Sequence, residues 1–149
     1  MKPQTLEVLL VEDDPGDAVL TREALANSRL PLNLTVIDSG EAALKYLFRK
    51  PPYEEAMRPH LIILDLNLPK VSGTEVLREI KADAGLKLIP VVVLTTSTAP
   101  SDIARSYQSG ANCFVSKPLD LHEFERVVRS IKDFWATVVQ IPEVSGSNG

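Results

Sequence analysis

The chain has 149 residues, 44% of them hydrophobic and 24% charged, with a formal net charge of −4. That length fits one domain with a buried core and leaves no room for a second, while the composition is unlike that of a disordered chain. The acidic balance supplies no basic stripe for nucleic acid, so direct DNA binding is not expected, and no uncharged stretch is long enough to cross a bilayer.

The first apolar run, 6–11, reads as a strand and ends in Glu12, Asp13 and Asp14. Because that run is short, carries Glu7 and stops at acids, it is not read as a signal peptide, and a cytoplasmic protein is expected. Asp14 is placed to cap a helix that opens at Pro15, where a missing N–H does no harm. A second strand is expected over 34–37, followed by a helix capped by Ser39 with Leu44, Leu47 and Phe48 on one face. The connector 49–60 contains Pro51, Pro52 and Pro59 and reads as a surface loop, with His60 exposed. Strand three, 61–64, stops at Asp65. Ser72 and Glu75 then have capping-box spacing ahead of a helix with Val76, Leu77 and Ile80 inward, and Glu79 and Lys81 on the other side.

The fourth strand, 90–95, contains Val91, Val92, Val93 and Leu94 without a break, as expected where both faces of a parallel sheet are covered. A weaker helix follows, with Ile103, Ala104 and Tyr107 as its apolar face and Gly110 as its stop. The fifth strand, 113–115, holds Cys113, which has no partner for an internal disulfide and reads as a core thiol. Asp120 caps the last helix, on which Leu121, Phe124, Val127, Val128, Ile131 and Trp135 recur at helical spacing, with His122 at the surface. One domain over 1–140 is expected, and 141–149 reads as a flexible tail of Pro, Ser, Gly and Asn. Strands alternating with helices across short connections imply a right-handed doubly wound α/β sheet, whose ligands bind beyond the carboxyl ends of the strands.

Those ends carry Glu12, Asp13 and Asp14, then Asp65, then Thr95 and Thr96, then Lys117. Two carboxylates ~4 Å apart repel by ~4 kcal/mol at an effective dielectric of ~20, so Asp13 and Asp65 need a cation or a raised proton affinity to share a site. An all-oxygen pocket suits Mg²⁺, whereas Zn²⁺ would want Cys or His. A carboxylate beside a metal and an ammonium can act as nucleophile toward a phosphoryl group. Asp65 is the candidate nucleophile, Lys117 the point charge, Thr95 a hydroxyl donor and the Asn67 backbone carbonyl a further metal ligand. Taken singly, each is an ordinary residue: an acid is often a cap, a Thr a strand residue, a Lys a solvated charge. Matched groups at four strand ends are what a site requires.

Together these residues resemble the receiver domain of bacterial two-component response regulators, over roughly 6–132. Val11-Glu12-Asp13-Asp14 resembles the acidic pair that holds the metal, with Glu12 and Asp13 in the paired positions. Leu64-Asp65-Leu66-Asn67-Leu68-Pro69 followed by Gly73 resembles the phosphoacceptor loop, and Thr95 the switch hydroxyl. Ser116-Lys117-Pro118 is similar to the family's lysine and following proline, whose peptide bond the resemblance makes cis, and Phe114 falls at the position of the aromatic switch.

The resemblance implies a flavodoxin-like five-stranded parallel sheet of order 2-1-3-4-5, flanked by five helices. It also implies phosphorylation of Asp65 by a sensor histidine kinase, with Mg²⁺ held by Glu12, Asp13, Asp65 and the Asn67 carbonyl. Output then comes from switched protein contacts, and the only reactions catalysed are the protein's own phosphorylation and dephosphorylation. The insert before His60, Pro69-Lys70, Leu94-Thr95-Thr96-Ser97 and the closing Phe134-Trp135 are similar to stand-alone regulators that partner bacterial phytochromes. That likeness implies a phytochrome-type kinase and a homodimer through the fourth helix, fifth strand and fifth helix, near Phe134, Trp135 and Val138. Thr96 is bulkier than the Ala or Gly often found beside the switch hydroxyl and is expected to hinder access to the acyl phosphate.

Three other readings fit these residues less well. A phosphatase of the haloacid-dehalogenase kind needs a second Asp where this chain has Asn67. A flavin or nucleotide binder would want glycines and backbone amides where Glu12, Asp13 and Asp14 stand. A scaffold that works without phosphorylation is opposed by the intact Asp65, Thr95 and Lys117.

Overall fold

The structure, a computed structural model, describes residues 5–26, 31–95, 104, 108, 110, 111, 113–116, 122 and 126, with 95 and 113–116 described as backbone only. In chain order the elements are β1 (Leu6–Val11), α1 (Pro15–Ala26), β2 (Leu32–Ile37), α2 (Gly40–Leu47), β3 (Leu61–Asp65), α3 (Gly73–Ala82), a 3-10 turn (Leu86–Leu88), β4 (Val91–Thr95) and β5 (Cys113–Ser116). All strand pairs are parallel and lie in the order β2-β1-β3-β4-β5, the order the resemblance implied.

Residues alternate between two cores, because successive side chains on a strand point to opposite faces. Leu9, Val11, Ile62, Leu64, Val91 and Val93 pack with Ala43 and Leu47 of α2 and with Val76, Leu77 and Ile80 of α3. Leu6, Val8, Leu10, Leu61, Ile63, Val92 and Leu94 pack with Ala24 and Leu25 of α1. Both faces of the central strands β1, β3 and β4 are therefore largely dry, which explains the unbroken apolar runs and leaves the carboxyl edge as the place for polar chemistry.

Three helix starts are built as their sequences predict. Asp14 Oδ1 accepts from the Gly16 and Asp17 amides at 2.8 and 3.1 Å, Ser39 Oγ from Ala42 at 3.1 Å, and Ser72 Oγ from Glu75 at 3.2 Å. Gly110 has φ +104°, which suits a chain leaving a helix. Ala104 and Gln108, and His122 and Arg126, are helical and exposed. The remainder of the fourth and fifth helices, the Cys113 side chain and the 141–149 tail fall outside the described residues. Among the described residues no helix is long and apolar enough to cross a membrane.

Three expectations need correction. Phe48 is 37% exposed because α2 ends at Leu47 and Phe48 is its C-cap; Ala43, four residues before Leu47, takes the inner place. Ala104 is exposed, since neighbouring residues on a helix are ~100° apart and cannot both face the core centre. His60 is only 5% exposed. Its amide donates to the Glu7 carbonyl at 2.7 Å, and its Nδ1 accepts from the Glu7 amide at 2.9 Å, so it adds a rung to the β1–β3 ladder below the Val8↔Leu61 pair. Lys81, on the side of α3 away from its apolar face, is half-buried: its Nζ donates to the Lys87 and Ile89 carbonyls, each at 3.1 Å, and burial pushes its pKa below 10.5.

Candidate functional site

Strands β1 and β3 are neighbours, with Val11 opposite Leu64, so their next residues, Glu12 and Asp65, leave the sheet side by side. Asp13 follows at the same edge. Carboxylate oxygens of Glu12, Asp13 and Asp65 all lie within 4.8 Å of one another. Glu12 and Asp65 are 2% and 3% exposed, whereas Asp13 faces solvent. At that spacing each pair of charges repels by about 3.5 kcal/mol at an effective dielectric of about 20. Such a cluster attracts a hard cation, and its oxygen-only donor set fits a divalent ion with no need for His or Cys.

Backbone contacts hold Glu12 and Asp65 in place. The Glu12 amide donates to the Ile37 carbonyl at 3.0 Å, continuing the β1–β2 ladder one residue past the strand. Glu12 Oε2 accepts from the Asp14 amide at 3.2 Å. Asp65 Oδ1 accepts from the Asn67 amide at 2.9 Å, while the Leu66 amide donates to the Leu94 carbonyl at 3.0 Å. The loop that follows turns at Lys70, whose φ of 63° is left-handed. It closes where the Gly73 amide donates to the Leu66 carbonyl at 3.2 Å. A Cβ at position 73 would collide with the Asp65 carbonyl oxygen and lie 2.6 Å from the Leu66 Cα, so only glycine lets α3 start this close to Asp65.

On the other side, Asp65 pairs with Leu94, which puts Thr95 one residue further along the adjacent strand. Thr95 in turn pairs with Ser116, and the Phe114 backbone pairs with Val93. The carboxyl ends of β1, β3, β4 and β5 thus stand in a row. Lys117 and Thr96 lie outside the described residues, as do the side chains of Thr95 and Phe114 and the Lys117–Pro118 peptide bond. Of the predicted site residues, then, Glu12, Asp13 and Asp65 are brought together as side chains, and the Asn67 amide joins them. Asp14, the third consecutive acid, stands apart from that cluster with its Oδ1 bound to the amides of α1, the capping role its place before Pro15 predicted.

Comparison with known proteins gives this edge a family. Residues 8–129 match the family described as "Response regulator receiver domain". The chain belongs to that family. Among curated relatives, this receiver is 44% identical over 135 residues to the response regulator Rcp1 of Synechocystis sp., covering 91% of this chain and 92% of that one. The solved structure of a phosphorylated cyanobacterial phytochrome response regulator, RcpA, superposes with a TM-score of 0.82 at 44% identity, over 94% of this receiver and all of that chain, which is 100% covered. A Mn²⁺-bound form of Rcp1 superposes with a TM-score of 0.80 at 43% identity, over 93% of this chain and 99% of its own. The receiver is therefore a two-component signalling protein related to phytochrome response regulators, with an acidic pocket suited to a divalent metal.

Proposed function

We propose that this receiver accepts a phosphoryl group on Asp65 from a phosphohistidine of a sensor histidine kinase of the phytochrome type. The observation that carries the reading is the convergence of the Glu12, Asp13 and Asp65 carboxylates within 4.8 Å at the carboxyl edge of the sheet. The relatives' own descriptions, one a phosphorylated phytochrome regulator and one a Mn²⁺-bound form, support the partner and the metal class. Glu12, Asp13, Asp65 and the Asn67 carbonyl would hold Mg²⁺, which when bound offsets negative charge on the transferring oxygens.

In the transfer, an Asp65 carboxylate oxygen forms a bond to phosphorus as the P–N bond of the phosphohistidine breaks, and the bonding pair stays with the departing imidazole. The product is an acyl phosphate. Its added charge and acceptor oxygens draw Thr95 and Lys117 toward Asp65, Phe114 repacks, and the surface that reads the signal changes. The chain catalyses only its own phosphorylation and its loss. It acts in the cytoplasm through protein contacts, without binding DNA directly. That surface is a homodimer face formed by the fourth helix, β5 and the fifth helix; sedimentation of wild type and Trp135→Ala tests it, and equal dimerisation of the two folded proteins counts against that face.

Incubation with acetyl phosphate and Mg²⁺, followed by intact mass measurement, tests the central reading. Wild type should gain one phosphoryl group and Asp65→Asn none. Equal labelling of the two would move the acceptor away from Asp65, and no labelling of wild type by either acetyl phosphate or a phosphorylated kinase would leave the scaffold reading in its place.

A further inference from the structure

Three acids follow β1, and they do different work. Glu12 and Asp13 enter the carboxylate cluster; Asp14 does not. Its Oδ1 accepts from the Gly16 amide at 2.8 Å and the Asp17 amide at 3.1 Å, and its carbonyl accepts from the Ala18 amide at 3.0 Å. Pro15, between them, has no amide hydrogen to satisfy. Asp14 therefore takes up every open donor in the first turn of α1, which pins its own backbone to the helix. The same residue's amide donates to Glu12 Oε2 at 3.2 Å. One residue thus joins a rigid helix start to a buried metal-ligating carboxylate.

We infer that Asp14 is a positioning residue for the metal site: by capping α1 it fixes the amide that holds Glu12 in the cluster. The inference rests on the reading of Glu12, Asp13 and Asp65 as the Mg²⁺ ligands. Three like charges within 4.8 Å tend to splay apart before a cation arrives. Whatever holds Glu12 in place reduces the work of regathering the ligands, so loss of the cap is felt in metal affinity as well as in stability.

Titration calorimetry of Mg²⁺ with wild type, Asp14→Ala, Asp14→Asn and Ser39→Ala, at one ionic strength, separates the possibilities. Asparagine is as good a cap as aspartate but carries no charge, whereas alanine removes both cap and charge. Ser39 caps α2 and serves as the control for general loss of stability. Asp14→Ala should bind Mg²⁺ about fivefold more weakly, the counterpart of an N-cap worth about 1 kcal/mol. Asp14→Asn and Ser39→Ala should stay within about twofold of wild type, the residual effect expected of one exposed charge or a distant cap. Equal affinity of Asp14→Ala and wild type overturns the inference, and so does an equal fall in Asp14→Asn, which would assign the effect to charge. A fall in Ser39→Ala of the same size overturns it too, by making the effect one of stability alone. Should wild type itself bind no Mg²⁺, the functional reading fails first and takes this one with it.

Discussion

A methyl group added at Gly73 would lie 2.6 Å from the Leu66 Cα and closer still to the Asp65 carbonyl oxygen, where real Cβ atoms essentially never sit. The obstructing atoms are main chain in a loop already bound by the Gly73–Leu66 and Leu66–Leu94 hydrogen bonds, so they have little room to shift. Gly73→Ala is expected to destabilise the fold by about 1–3 kcal/mol, as overpacking does. Displacing the Asp65 backbone should also slow phosphorylation by about tenfold or more, because transfer depends on placement of the nucleophile. Urea unfolding and the rate of labelling by acetyl phosphate report the two effects; a variant as stable and as fast as wild type would show that the loop yields. Glu12, Asp13 and Asp65 were legible in the sequence because an acid that ends an apolar run can be placed from chain order alone. The reason for Gly73 was not, since the carbonyl it must avoid becomes visible only when the loop is closed. His60 was misread for a related cause: its burial follows from a side-chain nitrogen standing in for a ladder carbonyl, which residue type does not reveal.

Strands and long helices were readable from period and caps, as the runs at 6–11 and 91–95 and the caps at Asp14, Ser39 and Ser72 show. Short and terminal features were not. The 3-10 turn at Leu86–Leu88 is too brief for any periodicity and is set by Asp83, whose Oδ2 accepts from the Gly85 and Leu86 amides at 3.0 and 2.9 Å. Lys81 belongs to this same junction. Its stem covers Gly110, and its Nζ ties the end of α3 to the carbonyls of Lys87 and Ile89. Half-burial disfavours the ammonium, so the folded-state pKa lies below the ordinary 10.5. Between those two values the unfolded chain binds the proton that the folded chain has released, and this group's contribution to stability therefore rises with pH. Lys81→Met keeps much of the stem and removes the titration. The stability of wild type relative to Lys81→Met should then increase as pH climbs through that alkaline window. Denaturant unfolding of both proteins along a pH series checks the slope, and a flat or falling difference contradicts it.

For the molecule as a whole, the site works against the fold that carries it. Two of its three carboxylates are buried, and in the absence of a cation their mutual repulsion, about 3.5 kcal/mol for each close pair at an effective dielectric of about 20, is borne by the folded state alone. Asp65→Asn removes the buried charge on β3 while leaving an oxygen that can still accept from the Asn67 amide. In the presence of a chelator this variant should be more stable than wild type by about 2 kcal/mol, the usual sign when a functional group held under strain is neutralised. If the proposed site binds Mg²⁺, saturation should reverse the advantage: a ligand at one hundred times its Kd stabilises the folded state by about 2.7 kcal/mol, and wild type, with all three carboxylates, should gain more of this than the variant does. Urea midpoints for both proteins, with chelator and with Mg²⁺, give four values whose order is fixed by this reasoning. A variant no more stable than wild type in chelator would mean that solvent and backbone dipoles already neutralise the cluster. The carboxyl edge would then be a tolerated collection of acids, with no stored repulsion for a metal ion to relieve.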